Sequence, residues 1–167
     1  MNPQADSGTT AVHARELLVQ YEGILAQLRD LGVVRTNDAP AGQFAEWLAM
    51  SVIGGTLAPN SQKGYDLDLT GSTWGKVQVK SRVLRENSAR ERQLSPFRSD
   101  GYDHALVILF DRDYSVWRAV MLPRDVVETA GRRSDFINGR VVRATEKLLK
   151  SGEDLTDTFN SYLKSQS

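Results

Sequence analysis

Residues 64–82, GYDLDLTGSTWGKVQVKSR, decide the architecture, because here the spacing of apolar residues drops to two. Tyr65, Leu67 and Leu69 alternate with Asp66 and Asp68, which predicts a strand over 64–69 with its carboxylates on one face. TGSTWG (70–75) is rich in turn formers. KVQVKSR (76–82) then alternates again, with Val77 and Val79 on one side and Gln78, Lys80 and Arg82 on the other. So short a link joins antiparallel neighbours, so the stretch reads as a hairpin. Pairing Leu69 with Lys76 sets Asp66 opposite Val79, between Gln78 and Lys80. A slip of one residue keeps Asp66 beside those two.

Upstream the period is helical. Leu17, Leu18, Tyr21, Ile24, Leu25 and Leu28 predict a helix over 11–31 stopped at Gly32, after a polar, disordered lead-in over 1–10. A loop over 36–42 precedes QFAEWLAMSVIG (43–54), a second helix with Phe44, Trp47 and Leu48 on its apolar face. Residues 57–64 read as loop. Downstream, HALVILF (104–110) is a continuous apolar run, the signature of a strand covered on both faces. SVWRAVML (115–122) is a further strand, and Pro123 stands at the N1 position of the helix that follows. The stretch 131–142 is ambiguous, and helical segments around 143–150 and 154–164 close the chain. Helices, four strands and a helix in that order give an α+β, mixed-sheet fold in one domain over 11–167, with a core over about 40–130 and a C-terminal helical extension at 143–164.

Composition narrows the chemistry. The 167 residues are 40% hydrophobic and 25% charged, ordinary for a globular domain. Without cysteine there is no disulfide framework, thiol nucleophile or zinc finger, and two histidines (His13, His104) cannot build a histidine cage. MNPQADSGTTAVHARELL lacks the basic start and apolar core of a signal peptide, and no apolar stretch is long enough to span a bilayer. A cytoplasmic protein with no membrane partner is expected. The 21 basic and 21 acidic residues balance, but unevenly along the chain. Between 76 and 98, Lys76, Lys80, Arg82, Arg85, Arg90, Arg92 and Arg98 face only Glu86 and Glu91. Such a block suits a phosphate backbone and also suits a solvated loop.

The hairpin gathers a carboxylate (Asp66), an amide oxygen (Gln78), an ammonium (Lys80) and, if the strand twist permits, a second carboxylate (Asp68). Carboxylate, amide and backbone carbonyl oxygens are the donors a hard cation takes, and a lysine beside them can orient a water or offset charge developing on a phosphate. A polar sheet face that merely meets solvent is the other reading. Asp66 followed by Gln78-Val79-Lys80 resembles the PD-(D/E)xK nuclease motif, in the variant with glutamine for the second acid. Glu46 in QFAEWLAM resembles that family's N-terminal glutamate, and YDHALVILF with SVWRAVMLPRDVV is similar to its later strands and following helix. The resemblance covers roughly residues 40–130. It implies a restriction-endonuclease-like core, a four- to five-stranded mixed sheet flanked by helices, and Mg²⁺- or Mn²⁺-dependent hydrolysis of a nucleic acid, DNA first, by a chain that can act as a homodimer. On that resemblance Asp66 is the main metal ligand, Gln78 a neutral ligand and the Val79 carbonyl a third, with Asp68 in reserve. Lys80 positions or activates the attacking water, and Glu46 serves the outer shell or a second metal. The basic residues of 76–98 other than Lys80 would contact nucleic acid. The family's usual proline is replaced by Tyr65, and Gln78 removes one charge from the ion site. A nucleic-acid-binding or interaction module without turnover is therefore the alternative.

Other features read as structural. His104 is expected to be a hydrogen-bonded structural histidine and His13 a surface one. Trp47, Trp74 and Trp117 are expected to pack in the core or the hairpin, with Trp74 the one candidate for stacking on a base. Gly71–Lys76 lacks the spacing and the following helix of a phosphate loop.

Overall fold

The computed structural model describes residues 7–30, 41–59 and 64–166. The elements open with α1 (Ser7–Asp30), α2 (Ala41–Ile53), β1 (Thr56–Leu57), β2 (Leu67–Leu69) and β3 (Gly75–Val83). They continue with β4 (His104–Phe110), β5 (Val116–Pro123), α3 (Arg124–Ala130), β6 (Arg132–Ser134) and β7 (Gly139–Val141). The last are α4 (Glu146–Lys150), β8 (Glu153–Asp154) and α5 (Thr156–Ser165). A six-stranded mixed sheet runs β1-β2-β3-β4-β5-β8, one more strand than the sequence suggests, and β6-β7 form a separate hairpin.

β4 is the centre of the sheet. Every residue from Ala105 to Phe110 is fully buried, and their side chains alternate between two cores. Leu106, Ile108 and Phe110 meet α2 and α5 on one face, while Ala105, Val107 and Leu109 meet Leu94, Val127 and Leu148 on the other. At about 1.5–3 kcal/mol for each large apolar side chain removed from water, this strand accounts for the continuous run in the sequence. β3 and β4 are parallel, so the chain must cross over between them. The crossover, 84–103, is anchored by buried Leu84, Leu94, Phe97 and Tyr102. It is therefore a packed wall and not a free basic arm.

The β2–β3 hairpin is antiparallel as expected, but its register is shifted by one: Leu69 pairs with Gly75, Asp68 with Lys76 and Leu67 with Val77. Gly75 sits at φ 61°, and a Cβ there would collide with the Asp103 carboxylate, which accepts the Lys76 N–H at 2.9 Å. That fixed turn sets the register. The strand expected over 64–69 is ladder only from Leu67, because at Asp66 the side chain takes over from the backbone.

The termini differ more. Residues 7–10 are helical, while the lead-in over 1–6 and most of the 36–42 loop lie outside the described residues. On α1, Ala11 and Leu25 are buried and Ala14 and Leu18 pack on the core, but Leu17, Tyr21 and Ile24 are exposed; the Leu28 side chain lies outside the described part. α2 and α5 already cover this sheet face, so α1 reaches it only along a narrow line. The segment 143–164 is no extension, since Phe159 and Leu163 of α5 belong to the same core as Phe44 and Leu48 of α2. β1, β6, β7 and β8 are two or three residues long, too short for alternation to register. Among the described residues, no helix is long and apolar enough to cross a membrane.

Candidate functional site

β2 pairs with β3 only as far as Val77, so the β2-side edge of β3 is open from Gln78 onward. Asp66 fills the first gap. Its N–H donates to the Val77 carbonyl at 2.8 Å, and its Oδ2 accepts the Val79 N–H at 2.7 Å. Lys76 offers its carbonyl to the opposite, β4 side, where Asp103 N–H binds it at 2.7 Å. Backbone direction alternates along a strand, so the Val79 carbonyl faces the same open edge as the Val77 carbonyl.

A cavity of about 320 Å³ lies at this edge, and Glu46, Asp66, Gln78, Val79 and Lys80 all line it. Glu46 arrives from α2, beside the apolar stripe of Phe44, Ala45 and Leu48 that docks the helix on the sheet. Lys80 stands on the polar side of β3, where its Nζ donates to the Pro96 carbonyl at 3.0 Å and lies 4.9 Å above the Phe97 ring. The end of β2 lets groups from both sides of the sheet meet. Ala41, Gly42, Ser81 and Ser95 complete the walls together with Arg82 and Arg85.

The electrostatics are unsettled in a consistent way. Burial pushes the Asp66 carboxyl above its ordinary range, against the pull of the Val79 N–H and the Lys80 ammonium. Burial also raises Glu46, and the neighbouring Asp66 charge raises it further while Lys80 lowers it. Lys80 is held below the usual lysine range by burial, with Arg98 adding to the depression and Asp66 and Glu46 opposing it. The Gln78 Oε1 is buried and has no hydrogen-bond partner among the described residues. A buried amide oxygen left without a donor costs about 1–3 kcal/mol, which a cation or a water at that point would recover. Two carboxylates, this oxygen and the Val79 carbonyl form an all-oxygen donor set of the kind Mg²⁺ takes. Among the described residues, no three Asp, Glu, His or Cys side chains gather at one point, so such a set needs the amide and the backbone.

Asp68 is not brought to this cavity. It lines a separate recess with Thr56, Tyr65 and Thr70, and its Oδ1 accepts the Thr70 N–H at 2.8 Å and the Thr70 hydroxyl. Those bonds hold its carboxyl below the usual range. A residue two positions from Asp66 falls beyond the end of the open edge, where β2 is paired.

The basic residues divide. Arg82 lines the cavity, with its Nε on the Gln93 carbonyl at 2.7 Å, and Arg98 is exposed and close enough to Lys80 to shift it. Arg90 is exposed as well. Arg85 is bound to Glu22 of α1 at 2.8 Å, and Arg92 to Glu146 at 3.0 Å while stacking on Trp117 at 4.6 Å. These contacts tie both side chains to other parts of the fold, although Arg85 also lines the cavity. Lys76 stands 5.0 Å over the Tyr65 ring, away from the cavity lining. Sequence reasoning missed Pro96 and Phe97 as the seat of Lys80, since nothing local links positions sixteen apart. His104 is structural, its Nδ1 2.9 Å from the Trp74 carbonyl, and exposed His13 lies 3.8 Å from Glu16. The Trp74 indole donates to Glu153 at 3.2 Å, so it ties the hairpin to β8. Comparison with known protein families and with curated proteins returns no match for this chain.

Proposed function

We propose that this protein is a divalent-metal-dependent nuclease with a restriction-endonuclease-like core, acting on DNA. The observation that carries the reading is the buried, partnerless Gln78 oxygen in one cavity with Asp66, Glu46 and Lys80. Two carboxylates raised by burial, one of them also by the other's charge, are what a cation between them would relieve. Asp66, the Gln78 Oε1 and the Val79 carbonyl would hold Mg²⁺ or Mn²⁺, with Glu46 behind them. The ion would supply Lewis-acid polarisation of a scissile phosphate and a bound water more acidic than bulk.

The chain's own residues do the rest. Asp66, which lines the cavity, is kept in place by the Val79 N–H on Oδ2, and that bond leaves its other oxygen for a ligand. Lys80 spends one N–H on Pro96 and has two more to hold a water or a non-bridging phosphate oxygen. Its lowered pKa leaves more of it in the neutral form that can accept a proton than an exposed lysine has at the same pH. Arg82 and Arg98 flank Lys80 and place positive charge where a phosphate chain would run.

Purified protein incubated with plasmid and linear DNA should cut in Mg²⁺ or Mn²⁺, stop with EDTA, and stop in both Asp66→Ala and Lys80→Ala. Cleavage that survives both substitutions overturns the reading. The neutral Gln78 favours a second reading, a module that binds nucleic acid on this surface without turnover. Salt-sensitive DNA retention with no cleavage in either metal would select it.

A further inference from the structure

The β6–β7 hairpin has no part in the cavity, yet it is built to display one side chain. Phe136, at its tip, is 99% exposed. The turn beneath it is held by the Asn138 N–H on the Asp135 carbonyl at 3.1 Å and the Ile137 N–H on the Ser134 Oγ at 3.4 Å, with Asn138 at φ 50°. The ring is therefore presented by a closed turn. Arg132 and Arg133, both exposed, stand on β6 behind it, Arg133 with its Nε 4.0 Å from the exposed Asp135 carboxylate, and among the described residues no apolar neighbour shields the ring.

The hairpin is also fastened to the wall that seats Lys80. Arg140 and Phe97 exchange backbone hydrogen bonds at 2.8 and 3.0 Å, and Gln93 bridges to Arg143. Gly139 is buried against this wall, where a Cβ would come within 3.0 Å of both the Phe97 carbonyl and Pro96 and within 3.2 Å of Arg98. Phe136 is three residues from Gly139, so at about 3.3–3.6 Å per residue it lies at most ~11 Å away along the chain.

We infer that Phe136 is a base-stacking contact, and that the β6–β7 hairpin grips single-stranded or locally opened nucleic acid beside the Lys80 cavity, with Arg132 and Arg133 on the phosphates. An exposed aromatic ring with guanidinium groups on the same hairpin is the combination that holds an unpaired base and its backbone. The nucleic-acid identity of the occupant rests on the nuclease reading; the display of the ring does not.

The test measures binding and cleavage separately. Anisotropy with a labelled single strand of about 20 nucleotides, in EDTA, compares wild type with Phe136→Ala, Phe136→Trp and Phe136→Leu. Removing an exposed ring leaves both cores intact, which matched thermal melts would verify. Phe136→Ala should weaken single-strand binding roughly tenfold, Phe136→Trp should retain it, and Phe136→Leu should resemble alanine. Arg132→Ala with Arg133→Ala should weaken binding and flatten its salt dependence. If wild type binds and Phe136→Ala binds equally well, the hairpin proposal falls and the nuclease reading stands. If Phe136→Leu binds like wild type, the ring is a generic apolar anchor and stacking is overturned. If Phe136→Ala loses binding although wild type cuts in neither Mg²⁺ nor Mn²⁺, the hairpin stands and the nuclease reading falls. Wild type that binds no single strand overturns the hairpin proposal, and cleavage of plasmid and linear DNA in Mg²⁺ or Mn²⁺ then decides the nuclease reading by itself.

Discussion

Asp66 and Asp68 are two residues apart in one short stretch, and the fold treats them in opposite ways. Asp68 lies where β2 is fully paired, bound by Thr70 in a tight local turn, with its carboxyl lowered. Asp66 lies where the pairing has just ended; burial raises its carboxyl, and its one backbone donor comes from the neighbouring strand. The first arrangement is complete by itself. The second leaves charge, a free oxygen and an unanswered amide nearby, which is how a ligand site differs from a satisfied surface group.

The largest test of that contrast is activity. Asp66→Ala and Lys80→Ala should each lower metal-dependent cleavage by at least about a hundredfold, while Asp68→Ala should stay within about twofold. Equal losses at both aspartates in a plasmid-nicking assay would erase the distinction. Next, Leu67 lies between the two aspartates and is fully buried, so Leu67→Ala should cost about 2–5 kcal/mol in urea unfolding. A loss well under ~1 kcal/mol would mean that the hairpin is not anchored there. A smaller effect is expected at Gln78. Gln78→Glu adds a charge at an oxygen-donor position, so calorimetric titration should show Mg²⁺ or Mn²⁺ binding strengthened several-fold, about 1 kcal/mol. Marked weakening would remove Gln78 from the ion's shell.

The smallest effects separate the aspartates by pH. Asp66 and Glu46 are raised in the folded chain, so the metal-free fold binds more protons than the unfolded chain above the ordinary carboxylate range. Their contribution is full below that range and is lost as pH rises through the raised values. Asp66→Asn should flatten this loss, and saturating Mg²⁺ should do the same in wild type. Asp68 is lowered, so its contribution is present above the usual aspartate range and is lost as pH falls through the lowered value. Asp68→Asn should flatten only that acid limb in a series of thermal melts.

The sequence displayed those parts of the fold whose signal is local. Alternation marked β3, the unbroken apolar run marked β4, and the proximity of Asp66, Gln78 and Lys80 followed from a hairpin in either register. Glu46 also lines the cavity, although only a resemblance and no local pattern pointed to it. What escaped depends on long-range pairing. The seat of Lys80 on Pro96 and Phe97, the Arg85–Glu22 and Arg92–Glu146 pairs, and the two-residue strands β1 and β8 are made by partners distant in the chain. The exposed face of α1 has a similar cause: amphipathic spacing says that a helix has an apolar side, but not how much of it a neighbour will cover.

Gly75 gives the hairpin a fidelity that bears on more than its own turn. Because side chains alternate, sliding β2 by one position against β3 would turn the buried Leu67 and Leu69 away from the core they now fill. Asp66 would then lose its hold on the Val79 amide. Such a misaligned protein would be less stable and would hold Asp66 without its bond to the neighbouring strand, so the correctness of a single tight bend is a condition for chemistry as well as for folding.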